Sequence, residues 1–286
     1  MDSFIKKVRN FNELVMFEHS IFSLPFIFIA MIVAANGWFG FELLALGVLA
    51  AISARNAAMG FNRYVDRAYD IKNPRTASRP SVDGRIKPSA IAIFVVINIA
   101  IFIITAYFIN DLAFYLSVPM LAVLLGYSYF KRFSHFAHII LGISLALAPI
   151  AGSVAVLGEI PLWVIYLSVG VMFWVAGFDL LYSLQDIDFD IKNNLHSIPS
   201  QFGAINTMRI SAFFHLLTAI FWMFFVLEAN LGIFAQIAVV FALIMLAYEH
   251  YLVRKDFTKI DRAFFTVNGY LGFVFLALII SDKVFI

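Results

Sequence analysis

The chain contains no cysteine among its 286 residues. That absence excludes disulfides, thiolate nucleophiles and cysteine-ligated metals. Charge is scarce too. Asp, Glu, Lys and Arg make up 13% of the chain, about half the share of a soluble domain. Hydrophobic residues reach 63%, and the mean hydropathy is +0.92. A water-soluble protein of this length has no interior large enough to hide so much apolar surface. The expected class is therefore all-α and polytopic, a helical membrane protein. The net charge of +2 decides little by itself, and the placement of the charges decides more. No nucleic-acid partner is expected.

Windows of about 18–22 residues with few charges mark nine expected spans. They run roughly over 20–37, 41–63, 89–109, 112–130, 136–157, 161–183, 207–227, 231–251 and 263–282. Before them, "MDSFIKKVRNFNELVMFEHS" is too polar for a cleavable signal. Its Phe4, Ile5, Val8, Phe11, Leu14 and Val15 recur near helical spacing. That pattern predicts a short amphipathic helix at the membrane surface, or a plain lead-in to the first span. Glu18 and His19 read as the start of that span, with the mouth of a cavity as the alternative. His135, His138, His215 and His250 show no metal-ligand spacing and are assigned no role.

Two connections are long, 64–88 and 184–206. With nine spans, every basic residue but Lys283 falls on the side of the N-terminus and of these two loops. The short loops of the other side carry Glu42, Asp111, Glu159, Glu228 and Asp282. A wrong span count would scramble that bias. It predicts that the N-terminus and both long loops are cytoplasmic.

The acids recur in a pattern. "NRYVDRAYDIKN" places Asn62, Asp66 and Asp70 four residues apart at the end of span 2. "DIDFDIKN" places Asp186 and Asp190 four apart at the end of span 6. Pairing residue n with n + 120 superimposes Asp66 on Asp186, Asp70 on Asp190, Lys72 on Lys192 and Asn73 on Asn193. Spans 2 and 6 are an even number of spans apart, so the repeat is parallel. It predicts a duplicated four-helix unit, with halves roughly over 20–130 and 136–251 and a ninth helix near 263–282, in one membrane domain spanning 1–286.

Residues four apart on a helix share a face, about 6 Å apart along the axis. Like charges at that spacing repel, and the penalty grows with burial. A cation between them resolves it. Hard oxygen ligands without His or Cys point to Mg²⁺ or Ca²⁺. Mg²⁺ commonly combines one or two carboxylates with substrate phosphates. The expected metal set is Asn62, Asp66, Asp70, Asp186 and Asp190, two facing rows around a diphosphate. Ordinary ion pairs with Arg63, Arg67, Arg75 and Lys192 are the alternative reading of the acids. Tyr182 and Asp179 extend the second row one and two turns deeper into span 6.

Arg55 lies seven residues before Asn62 on the same helix face. An arginine inside a span is costly and needs a partner, and Arg grips a carboxylate with two hydrogen bonds. A substrate carboxylate, deeper than the metal, fits that position. An internal pair with Asp179 is the alternative. Tyr127 and Lys131, where span 4 meets the cytoplasm, are expected partners of diphosphate oxygens, or else a belt tyrosine with a snorkelling lysine. Arg67, Lys192 and Arg79 of the basic segment "PRTASRP" complete the expected diphosphate set.

These residues resemble the motifs of the UbiA-type intramembrane prenyltransferases. The first motif of that family, N-x3-D-x3-D, matches "NRYVDRAYD", followed by "RTASRP". The second resembles "DLLYSLQDIDFDIK", followed by "HSIPSQFG". The resemblance covers essentially the whole chain. It implies nine helices around a central Phe-rich cavity that opens sideways to a lipid tail. It also implies that Mg²⁺ bridges the aspartates to a polyprenyl diphosphate. The allylic C–O bond then ionises, and the cation attacks an electron-rich aromatic ring. Arg55 matches a family position associated with an aromatic acid. Asp66, Asp70, Asp186 and Asp190 are the implied catalytic acids, and Asp179 and Tyr182 join Arg55 near the aromatic substrate. Phe189 stands where the family often has an acid, and Asp188 is the weakest ligand of the run. "FEHSIFSLPF" and "GFDLLYSLQD" resemble the 4-hydroxybenzoate polyprenyltransferase-like branch. Some members of that branch serve menaquinone synthesis with a dihydroxynaphthoate acceptor. A bacterial cytoplasmic membrane is the implied location. A secondary cation transporter is the rival class, because repeats and intramembrane charge occur there as well. Transporter sites, however, lie near the bilayer midplane at broken helices, whereas these acids stand at the cytoplasmic ends of spans 2 and 6 with no Pro near them.

Overall fold

The computed structural model describes residues 2–16, 22 and 24–285. Glu18 and His19 lie outside the described residues. The described chain is all-helical. Eight helical segments are long and apolar enough to cross a membrane. The first of the nine expected spans is the exception. Its described part is the apolar helix α2, Leu24–Ala34, of 11 residues.

The remaining helices follow in order. The surface helix α1 covers Asp2–Leu14, and α3 covers Phe41–Val65. A four-residue helix, α4, covers Arg67–Asp70. Then come α5 (Pro88–Ile109) and α6 (Asp111–Gly126), the latter prolonged by a 3₁₀ turn over Tyr127–Arg132. Next are α7 (Ala137–Leu157), α8 (Leu162–Tyr182), a 3₁₀ turn over Ser183–Asp186, and α9 (Ile187–Lys192). The chain continues through α10 (Ile198–Glu228) and α11 (Ile233–Lys255). The short α12 (Ile260–Arg262) and a π-helical turn over Ala263–Val267 lead into α13 (Asn268–Phe285).

Local chemistry explains the boundaries. Pro88 opens α5, where its missing N–H costs nothing. Asn110 caps α6 by accepting from the Ala113 N–H. Ser197 and Ser200 form a reciprocal capping box that starts α10. This helix therefore begins nine residues before the expected span at 207. Gly203, at φ 73°, interrupts it in a conformation that other residues adopt only with strain.

The chain packs as two compact units. The first comprises residues 1–20 and 48–129, and the second 21–47 and 130–286. In the first, Leu14 is buried with Ile86, Ile91 and Val95, and α5 packs on α6. Glu13 of α1 accepts both Nη hydrogens of Arg85, at 2.5 and 2.7 Å. Glu13 and Asp83 together hold the Arg85 guanidinium above its ordinary pKa. Ile5 and Val8 are exposed on α1. In the second unit, α8 packs against α7 and α10, and α2 against α7 and α13. The core there is aromatic, built on Phe26, Trp174, Trp222, Phe225 and Phe275. On α8, Gly170 and Gly177 let Trp222 and His215 of α10 approach its backbone. An alanine methyl at Gly177 would overlap the His215 ring.

Candidate active site

The first carboxylate row lies in the first unit. Helix α3 ends at Val65, and Asp66 follows with φ −87° and ψ 2° before α4 begins. That is the sparsely populated bridge region, where many active-site residues sit. Asp66 holds the N-cap position of α4, yet its side chain caps nothing. It accepts instead from Asn62 Nδ2 at 2.7 Å. Asn62 Oδ1 in turn accepts from Arg63 Nη1 at 3.3 Å. Asp70 is buried, and its Oδ1 pairs with Arg79 Nη1 at 2.7 Å. Its Oδ2 is buried without a partner among the described residues.

The loop after this row folds back on it. Thr76 Oγ1 donates to the Asp70 carbonyl, and Arg67 Nε donates to the Ser81 carbonyl. Two of the expected diphosphate cations, Arg67 and Arg79, thus also order the loop. Arg55 donates from Nη2 to the Met16 carbonyl at 3.1 Å, and its Nε is buried without a partner among the described residues. Tyr127 hydrogen-bonds Ser128 and lies within electrostatic range of Arg63, Asp66 and Arg55. The structure thus brings Arg55, Asp66 and Tyr127 near one another, together with Arg63, which is 5% exposed. Sequence reading had counted Arg63 only as a loop cation. Its place next to Asn62 was the available signal.

The second row, in the second unit, repeats the backbone of the first. Helix α8 ends, a 3₁₀ turn follows, and Asp186 takes φ −104° and ψ 5° before α9 begins. Asp186 likewise holds an N-cap position without capping. Asp190 is 2% exposed, and its Oδ2 is buried without a partner among the described residues. Asp188 is exposed. Lys192 is exposed at the end of α9. The Lys131 carbonyl accepts from the His196 N–H, which fastens the second long loop. Tyr127 and Lys131 share a 3₁₀ turn rather than an α-helix. Residues four apart do not align there, because positions three apart eclipse.

Asp179 pairs with a residue that carried no sequence signal. Its Oδ2 lies 2.6 Å from His138 Nδ1, and the His138 side chain is fully buried. The sequence separation of 41 residues hid this pair. Tyr182 stacks on Phe264, with ring centroids 4.3 Å apart.

The chemistry of these donors suits a hard divalent cation. A buried carboxylate oxygen with no donor is costly, and it occurs at the same place in both rows, Asp70 and Asp190. Among the described residues, no group of three or more His, Cys, Asp or Glu side chains holds a metal alone. Mg²⁺ takes few protein ligands and completes its shell with phosphate oxygens and water.

Comparison with known proteins agrees with this geometry. Residues 23–279 match the model of the UbiA prenyltransferase family. A 4-hydroxybenzoate octaprenyltransferase of Burkholderia vietnamiensis is 30% identical over 251 residues, 87% of this chain and 85% of that protein. Its counterpart in Saccharophagus degradans is 28% identical over 253 residues, 88% of this chain and 84% of that one. Among solved structures, a UbiA homologue of Aeropyrum pernix K1 superimposes with a TM-score of 0.84 at 30% identity, covering 93% of this chain and 98% of that one. A UbiA homologue of Archaeoglobus fulgidus, bound to DMAPP and Mg²⁺, shares the fold with a TM-score of 0.76 at 18% identity, covering 97% and 100%. This integral membrane protein belongs to the UbiA prenyltransferase family.

Proposed function

We propose that the protein transfers a polyprenyl group from its diphosphate to an aromatic carboxylic acid of the 4-hydroxybenzoate type, with Mg²⁺, as a step in quinone synthesis. The observation that carries this reading is the matched pair of buried, donorless oxygens on Asp70 and Asp190. The names of the relatives support the acceptor, and the DMAPP and Mg²⁺ of the fold neighbour support the donor and metal.

Asn62, Asp66, Asp70, Asp186 and Asp190 would hold the metal, and a divalent cation there would supply charge neutralisation for the departing diphosphate. Arg79, Arg67, Lys131, Lys192 and Tyr127 add hydrogen bonds to the diphosphate oxygens as that charge develops. The allylic C–O bond breaks with its electron pair on the diphosphate. A ring carbon then supplies a π pair to form the new C–C bond, and the same carbon gives up its proton. Apolar side chains keep water from the cation. Arg55 holds the carboxylate of the acid, which accounts for a buried guanidinium nitrogen without a partner. Arg55→Ala should raise the apparent KM for the acid about 10- to 100-fold with little change in the KM for the donor. An unchanged KM for the acid gives Arg55 a structural role. The distribution of basic residues supports a cytoplasmic-membrane location with both aspartate loops cytoplasmic.

The test is prenyl transfer in isolated membranes with geranyl diphosphate, setting 4-hydroxybenzoate against 1,4-dihydroxy-6-naphthoate, with and without EDTA. The expected result is a Mg²⁺-dependent product from 4-hydroxybenzoate. A product from the naphthoate alone moves the acceptor to menaquinone synthesis. No product from either acid overturns the reading.

A further inference from the structure

The reaction needs a base for the ring proton, and the carboxylate rows are committed to metal. Asp179 is placed differently. It lies on α8 seven residues before Asp186, two helical turns or about 10 Å away along the axis. Its Oδ2 is held by His138 Nδ1 at 2.6 Å, a short charge-assisted contact. That contact assigns the imidazole proton to Nδ1.

The two partners differ in access. The His138 side chain is 0% exposed, and its Nε2 is buried without a partner among the described residues. The ring is therefore closed to any ligand and acts only on Asp179. Asp179 keeps 20% of its side-chain surface open. With Oδ2 engaged, Oδ1 remains for a substrate. A carboxylate repels the acid group of the acceptor, so its useful partner on that molecule is a proton.

We infer that Asp179 is the catalytic base of the transfer and that His138 is the residue that positions it. The inference rests on the reaction proposed above. As the C–C bond forms, the ring carbon carries both the prenyl group and its hydrogen. The C–H bond then breaks, its electron pair restores the aromatic ring, and the proton passes to Asp179 Oδ1. Diphosphate has already left with the electrons of the C–O bond, so the step needs no further reactant.

The experiment uses the full-length protein in membranes, geranyl diphosphate, Mg²⁺, and 4-hydroxybenzoate with hydrogen or deuterium at ring positions 3 and 5. Asp179→Asn keeps the shape and a hydrogen-bond acceptor for His138 but removes the base. It should lower kcat about 100-fold or more, leave the donor KM unchanged, and bring out a primary deuterium isotope effect. His138→Ala should lower kcat about 10-fold and bring out the same isotope effect. His138→Asn, which keeps a donor near the Nδ1 position, should restore most of the rate. If Asp179→Asn does not accumulate folded, the pair of variants at position 138 decides, and equal rates in the two overturn the inference. Wild-type turnover together with near-wild-type kcat in Asp179→Asn overturns it and leaves the proposed reaction standing. A wild type that makes no product removes both.

Discussion

At Asp66 and again at Asp186, a membrane helix stops, passes through the bridge region and restarts as a short helix carrying a second acid, Asp70 or Asp190. The company of the two rows differs. In the first, Asn62 ties down Asp66, Arg63 is buried beside it, and Arg79 occupies one oxygen of Asp70. In the second, Asp190 is more deeply buried, and its side chain makes no hydrogen bond or ion pair among the described residues. Their loops differ in the same sense. The first is fastened by guanidinium groups, through Arg67, Arg79 and Arg85. The second has neutral contacts among its fastenings: the Ser197–Ser200 box, His135 against the Ser197 carbonyl, and the His196 N–H on the Lys131 carbonyl. Shared backbone with unlike company separates two jobs. The backbone break presents a pair of acids. The neighbours determine how far their charge is compensated before anything binds.

That comparison can be broken at several levels. The largest effect belongs to what the rows share. Asp66→Ala and Asp186→Ala should each lower turnover by about 1000-fold or more in membrane assays, with expression and detergent stability retained. Substantial activity in either variant removes that row from the site.

A smaller effect belongs to what they do not share. In metal-free detergent, Asp190→Asn should stabilise the protein, because it removes an uncompensated buried charge, by about 1–3 kcal/mol. Asp70→Asn should destabilise it, because it leaves Arg79 beside a neutral amide. Thermal unfolding of the two variants reads the signs, and equal signs would erase the distinction. By the same logic, EDTA should lower the melting temperature of the wild type more than that of Asp190→Asn.

The smallest effect concerns the loops. The Glu13–Arg85 pair is largely exposed and contributes at most about 1 kcal/mol. Raising salt should screen it and speed hydrogen exchange over residues 74–87 more than over 193–200. Equal acceleration would show that the two loops are held alike.

Much of this architecture was legible beforehand. Apolar windows located most of the spans within a few residues, because membrane helices must satisfy their backbone internally over a set length. The motif spacing located both rows. Three features were hidden, each for a physical reason. The breaks at Asp66 and Asp186 involve no Gly or Pro, so periodicity ran straight through them. The start of α10 depends on the Ser197–Ser200 box and lies in a stretch too polar to read as a span. His138 became meaningful only when α7 packed against α8 and placed Asp179 beside it. A lone histidine at the head of an apolar helix gives no hint of a partner 41 positions away.

The central claim is that both rows serve a metal-bound diphosphate. It is tested most directly by calorimetric binding of an unreactive geranyl thiolodiphosphate to the purified protein, with and without Mg²⁺. The account predicts Mg²⁺-dependent binding by the wild type and its loss in both Asp66→Ala and Asp186→Ala. Binding that ignores Mg²⁺, or that survives intact in either variant, would contradict it.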